Sequence, residues 1–286
     1  MALVNYSDEY LTHSSTVKES KNIHERIGGV LLMSVILTLI GATVSFFLAD
    51  TVMIETTAIL FAFLASIAVT MMAAGYFYLF QLYSAHQVVP LFGLSSIWLL
   101  AIEFVAGSVP GILSILGIAV LIISSYLLDN GSLKWKTPTS LLRYMVIVSL
   151  FWALTGLFWS EALDISDNDF GVYFWHLLGC FILIFPLFLI SPYRRGFLRR
   201  LKSEKRKFLV HSIMNETCVQ ISFYFTMIAF SLAAFASFVP AVSGFNSLFL
   251  LGLFYLFPLD KRNHITASQF YAIIGIVVGV GLLELY

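Results

Sequence analysis

Glu216 is a carboxylate inside an otherwise apolar stretch, with Asn215 beside it and Gln220 and Tyr224 following. In a helix, positions 216, 220 and 224 fall on one stripe. A carboxylate near the centre of a membrane helix costs about 2.5–3.5 kcal/mol on insertion scales, so such residues face a cavity or a partner group. Low dielectric disfavours its charged form. Neighbouring amides hydrogen-bond a carboxylic acid but do not neutralise a carboxylate. The expectation is therefore a group that is protonated when no substrate or cation is bound and that exchanges its proton for a substrate. The bland alternative is a polar clasp between two helices. Asn246 is a further candidate, either reaching across to Glu216 or gluing helices together. Trp152 shares a helix face with Thr155 and Trp159 and could line a cavity for an organic substrate, with packing as the alternative. His176 lies one turn into its apolar run, at an interfacial position or in a proton relay. Glu103 falls near the end of another run.

What must position these residues is a set of membrane helices. The chain has 286 residues, 59% of them hydrophobic and only 11% charged. A soluble domain is about 45–50% apolar and about 25% charged, so the excess belongs in lipid. A hydrocarbon core of roughly 30 Å needs about 20 apolar residues per helix. Runs of that kind cover 27–49, 57–83, 88–106, 110–128, 142–162, 171–191, 208–232, 235–257 and 268–285. The predicted fold class is thus all-α, a polytopic membrane bundle of about nine spans. The two cysteines, Cys180 and Cys218, sit in apolar runs and form neither a disulfide framework nor a metal pattern. The polar, mixed-charge residues 1–26 do not read as a cleavable signal, and are expected to form a cytoplasmic tail.

With nine spans, all 16 Lys and Arg fall on one side. They lie in the tail, around Lys134 to Arg143, in the block Arg194 to Lys207, and at Lys261 and Arg262. The opposite side holds Asp50, Glu55, Glu161, Asp164, Asp167 and Asp169 and no basic residue. The positive-inside rule places the basic side, with the N-terminus, in the cytoplasm and the C-terminus outside. The block 194–207 serves this topology; binding of anionic lipid headgroups is the sharper reading of the same residues.

"VVPLFGLSSIWLLAIEF" (88–104) and "FVPAVSGFNSLFLLGLF" (238–254) align at an offset of 150, with Pro90 on Pro240 and Ser96 on Asn246. Each is followed by a glycine-containing final span. Internal repeats of this kind are a hallmark of secondary transporters. The domain reading is a tail (1–26), a first repeat of four spans (27–131) and a second of five (132–286). At the positions matching the Glu216 stripe the first copy has Ala65, Ser66 and Thr70, so the polar stripe belongs to one copy.

This order of short turn, proline, small and apolar run, then Gly-led span, used twice, resembles the drug/metabolite transporter superfamily, and in particular its EamA-like family. The stretch "SLFWALTGLFWSEAL" (149–163) is similar to the span that opens the family's second copy. The resemblance covers about 57–131 and 142–286. It implies a carrier of small metabolites with a central cavity between two copies. The family has five helices per copy, so the run 27–49 would match its second helix and the first would be missing. A groove would then be open toward lipid, for a lipid, the tail or a second copy of the chain.

No nucleotide loop, His-Glu-x-x-His pair or nucleophile elbow occurs, and the six histidines are scattered. The expectation is a non-enzymatic protein of the cell membrane without a cofactor. It is expected to move a small organic metabolite by secondary transport, with the proton as candidate coupling ion. The alternative is a non-transporting multi-pass protein acting as an assembly partner or sensor. The expected partners are a small-molecule substrate and membrane lipids, with a second copy of the chain as a further candidate; nucleic acid is not expected.

Overall fold

The computed structural model describes residues 23–83, 85–105, 107, 111–130, 138–203, 205–232 and 267–284. All regular structure among the described residues is helical. The helices are α1 (Ile23–Leu48), α2 (Thr56–Leu82), the four-residue α3 (Ala85–Val88), α4 (Ser95–Val105), α5 (Ile112–Asn130), α6 (Thr139–Ile165), α7 (Asp169–Ile184), α8 (Ser191–Ser203), α9 (Lys205–Leu232) and α10 (Ala267–Glu284). Two 3₁₀ segments, Val89–Leu94 and Phe185–Leu189, each carry a proline in the first turn, where its missing N–H is harmless.

Four described stretches are long and apolar enough to cross a membrane: Ile27–Leu48, Thr56–Phe80, Thr139–Ile165 and Asp169–Leu189. They match the expected runs 27–49, 57–83, 142–162 and 171–191. Large apolar side chains such as Leu39, Ile40, Val44, Phe47, Leu60 and Met71 stand exposed on them. Exposure on this scale marks a surface made for lipid or a partner. Helix α9 has the length of a span, but its polar stripe lowers its hydropathy below that of these four. The expected span 235–257 lies outside the described residues, as do the second repeated stretch (238–254) and residues 1–22 of the tail.

The chain divides into two compact units, each assembled from separate stretches. One holds the described residues of Ser7–Leu82 together with Leu154–Leu232; the other holds those of Tyr83–Ala153 and Ala233–Tyr286. Helix α6 contributes to both, changing unit between Ala153 and Leu154.

In the first unit, α1 packs against α7, α8 and α9, and α2 packs against α7. Leu32, Leu79, Phe80, Trp159, Leu177 and Met227 fill its interior. At one end, Asn168 caps α7: its Oδ1 accepts from the Gly171 amide at 2.8 Å and its Nδ2 donates to the Thr51 carbonyl at 2.6 Å. The Trp175 indole donates to the Val52 carbonyl at 2.8 Å, so the connection 49–55 is tied down at the acidic end of the unit. At the other end, the basic helix α8 crosses the start of α1. Its Arg195 and Arg199, one turn apart, hold the Glu25 carboxylate at 3.4 and 3.0 Å. The crossing is close because it is made by glycines. A Cβ on Gly28 would sit 2.5 Å from the Tyr193 carbonyl oxygen, and one on Gly196 would strike the Glu25 backbone. Burial pushes the ionisation of the Tyr193 phenol upward, and its hydroxyl lies 2.9 Å from His24 Nδ1.

In the second unit, Ile118 and Leu121 of α5 pack with Ala272 and Ile276 of α10. Gly275 lies against Ser124, and Gly279 against Leu121 and the Gly117 carbonyl. The pair at spacing four is thus a close contact within the chain. Trp98 donates to the Val146 carbonyl at 3.0 Å, joining α4 to α6.

Candidate functional site

Helix α9 carries Ser212, Glu216, Gln220 and Tyr224 at successive four-residue steps, with Asn215 next to Glu216. The stripe faces α1 and α7. Glu216 is buried, with 8% exposure. Its Oε2 accepts from the Ser34 hydroxyl of α1 at 3.0 Å, and its Oε1 accepts from the Gln220 amide at 2.9 Å. Gln220 passes the network on: the Tyr173 hydroxyl of α7 lies 2.8 Å from both its Oε1 and its backbone carbonyl, sharing one proton between them. Gly41 on α1 keeps room here, since a Cβ would come within 3.4 Å of Gln220 Oε1 and 3.2 Å of Leu177. Tyr224 closes the stripe, stacked on Phe170 at 4.7 Å and edge-on to Tyr173 at 5.4 Å. The Glu216 carboxylate, the Gln220 amide and the Ser34 and Tyr173 hydroxyls thus connect three helices, and among the described residues no basic side chain takes part.

Beside Glu216 a small recess opens between α1 and α9, about 180 Å³ counting the open space at its mouth. Val30, Met33, Ser34 and Leu37 line it from α1; Ser212, Asn215 and Glu216 line it from α9. Its interior has room for about one water molecule. Ser34 lies seven residues past Ile27, about 10 Å along the helix, so the recess is nearer the basic end of the unit than the acidic end. The Ser212 hydroxyl is buried and has no hydrogen-bond partner among the described residues.

A second polar cluster lies between α2 and α7. The Ser66 hydroxyl is 2.8 Å from the Ala62 carbonyl, 2.7 Å from the His176 carbonyl and 3.3 Å from His176 Nδ1. His176 Nε2 is 3.8 Å from Cys180 Sγ, and the Trp159 ring meets the imidazole edge-on at 5.1 Å. His176 has 1% exposure. The ring is enclosed within the protein, with Ser66, Cys180 and Trp159 around it.

Of the residues expected at the site, Glu216, Asn215, Gln220 and Tyr224 are brought together. Trp152 lies in the stretch Tyr83–Ala153 and belongs to the other unit. Asn246 lies outside the described residues, as does the side chain of Glu103. Ser34, Tyr173 and Ser212 were not anticipated. For Ser212 a signal existed, because it continues the four-residue spacing one turn back from Glu216. Ser34 and Tyr173 sit in separate apolar runs, and only helix packing reveals them.

No protein-family model and no curated protein matches this chain. The chemistry therefore stands on the geometry. Among the described residues Glu216 is held by neutral donors, Ser34 and Gln220, and it lines a recess, so it is equipped to bind and release a small cationic species or a proton. Among the described residues no group of three or more His, Cys, Asp or Glu is arranged to hold a metal ion.

Proposed function

We propose that this protein is a multi-pass secondary transporter of a small organic metabolite, with Glu216 as the group that couples transport to a proton gradient. The observation that carries this reading is a buried carboxylate hydrogen-bonded, among the described residues, by neutral groups and bordering an opening between two helices. Such a group holds its proton while the site is shut and exchanges it when the site opens. The internal repeat and the resemblance to EamA-like carriers support it, as does the nine-span arrangement with a cytoplasmic N-terminus. Asn215, Gln220 and Tyr224 would contact the substrate when α9 moves.

The test is an uptake screen of metabolites in proteoliposomes, with and without a pH gradient. Wild type should accumulate a solute in a gradient-dependent manner. Glu216→Gln, which keeps the shape of the protonated acid, should leave the fold intact and remove the dependence on the gradient. Gradient-dependent uptake that is unchanged in the Gln variant would exclude Glu216 as the coupling group.

One observation favours a second reading, a non-transporting assembly partner or sensor. Both oxygens of Glu216 have partners, and the recess holds about one water, as in a clasp binding α1, α7 and α9. On that reading no solute is moved, and Glu216→Ala unfolds in detergent while Glu216→Gln does not.

A further inference from the structure

The recess beside Glu216 has a composition that a proton site does not need. Its polar wall is made of oxygen-bearing residues, Ser34, Ser212, Asn215 and Glu216. Ser212, Asn215 and Glu216 lie on one face of α9, and Ser34 faces them from α1. Val30, Met33 and Leu37 complete the wall with apolar surface, which holds no competing charge. Ser212 lines this recess and is 5% exposed, and its hydroxyl has no hydrogen-bond partner among the described residues. A buried hydroxyl left in this condition is costly, so it marks a place where a ligand atom belongs. The interior is the size of one water molecule.

Hard cations take oxygen ligands. One carboxylate balances one positive charge, whereas a divalent ion would leave a net charge buried in low dielectric. We propose that the recess between α1 and α9 is a binding site for a small monovalent cation, Na⁺ or Li⁺, held by Glu216, Asn215, Ser212 and Ser34 and completed by water at the open mouth. Ser34 keeps its lone pairs for the ion while its proton stays on Glu216 Oε2. The ion and the proton compete for the same carboxylate. The site rests on the reading of Glu216 as an ion-handling group, but its occupancy is measurable without transport.

The experiment is equilibrium binding of ²²Na⁺ to the purified full chain in detergent, paired with thermal unfolding in NaCl and in choline chloride at equal ionic strength. Wild type should bind one Na⁺ per chain, displaced by Li⁺ and not by choline. It should also show a saturable rise in Tm with Na⁺, as expected for a ligand of the folded state. Ser212→Ala should leave Tm in choline unchanged or raised, because it removes an unpartnered hydroxyl. The same variant should weaken Na⁺ binding about tenfold, the worth of one hydrogen-bond-strength contact to a charge. Glu216→Gln should abolish Na⁺ binding; should that variant not fold, Ser212→Ala decides. Absence of ²²Na⁺ binding by wild type overturns the site, and so does binding that Ser212→Ala leaves unchanged. Na⁺ binding in a protein that moves no solute would sustain the site and sink the transport reading. Proton-driven uptake without Na⁺ binding would do the reverse.

Discussion

Glu216 is stable where it is because each oxygen meets a donor from a different direction. Ser34 reaches it from α1, and Gln220 from one turn along α9. A neutral hydrogen bond contributes about 0.5–1.5 kcal/mol net, while a buried group deprived of its partner loses about 1–3 kcal/mol. Ser34→Ala is therefore expected to lower stability by about 1–2 kcal/mol, read from thermal unfolding in detergent. Since Ser34 and Glu216 touch, a double-mutant cycle with Glu216→Ala, which removes the acceptor, should give a coupling of about 0.5–3 kcal/mol. Strict additivity would mean that the contact does not form. Tyr173→Phe should act through Gln220, whose Oε1 would lose its donor. Its cost should shrink when Gln220 is already replaced by Ala.

Helices come close in this protein where glycine removes the obstacle. The crossing of α8 over α1 places the Tyr193 backbone where a Cβ of residue 28 would be, and the Glu25 backbone where a Cβ of residue 196 would be. Backbone cannot rotate away as a side chain does. Gly28→Ala or Gly196→Ala should each cost about 1–3 kcal/mol by overpacking. The ion pairs at the same crossing contribute less. Arg195 and Arg199 are 62% and 46% exposed, so solvent and salt screen them, and Glu25→Gln should change stability by about 1 kcal/mol or less. A Tm for Gly28→Ala equal to wild type, alongside a large loss for Glu25→Gln, would reverse this ranking of packing over charge. Between α2 and α7, Gly179 lies against the Ser66 side chain. There the contact also seats His176.

For the whole molecule, the charge distribution sets the expected orientation. Lys and Arg resist translocation, and with nine spans every one of the 16 would fall on the same side. In a cysteine-free background, single cysteines at positions 166 and 203 should be labelled from opposite sides of the membrane. Equal labelling from outside would end the nine-span topology. Neutralising the exposed Arg194, Arg195 and Lys202 should produce mixed orientations while leaving helical content, read by circular dichroism, unchanged. Each compact unit joins stretches that are distant in sequence, and α6 contributes to both, so a truncation after residue 131 should leave neither unit whole. Limited proteolysis of separately expressed halves should then show no protease-resistant core.

The helical class was legible in composition, because 59% hydrophobic residues in long runs leave lipid as the only adequate solvent. Four runs appear as apolar helices of spanning length, since in lipid every backbone group must be satisfied within its own segment. The stripe of Glu216, Gln220 and Tyr224 was legible for a local reason, the 3.6-residue period of one helix. What that stripe faces was not. Ser34 is separated from Glu216 by 182 positions, and no periodicity within a helix encodes which other helix lies against it. The interior place of His176 was likewise decided by Ser66, 110 positions away. Hydropathy is a property of each segment and survives in the sequence; the pairing of helices depends on how their surfaces interlock, and only the tertiary structure records it.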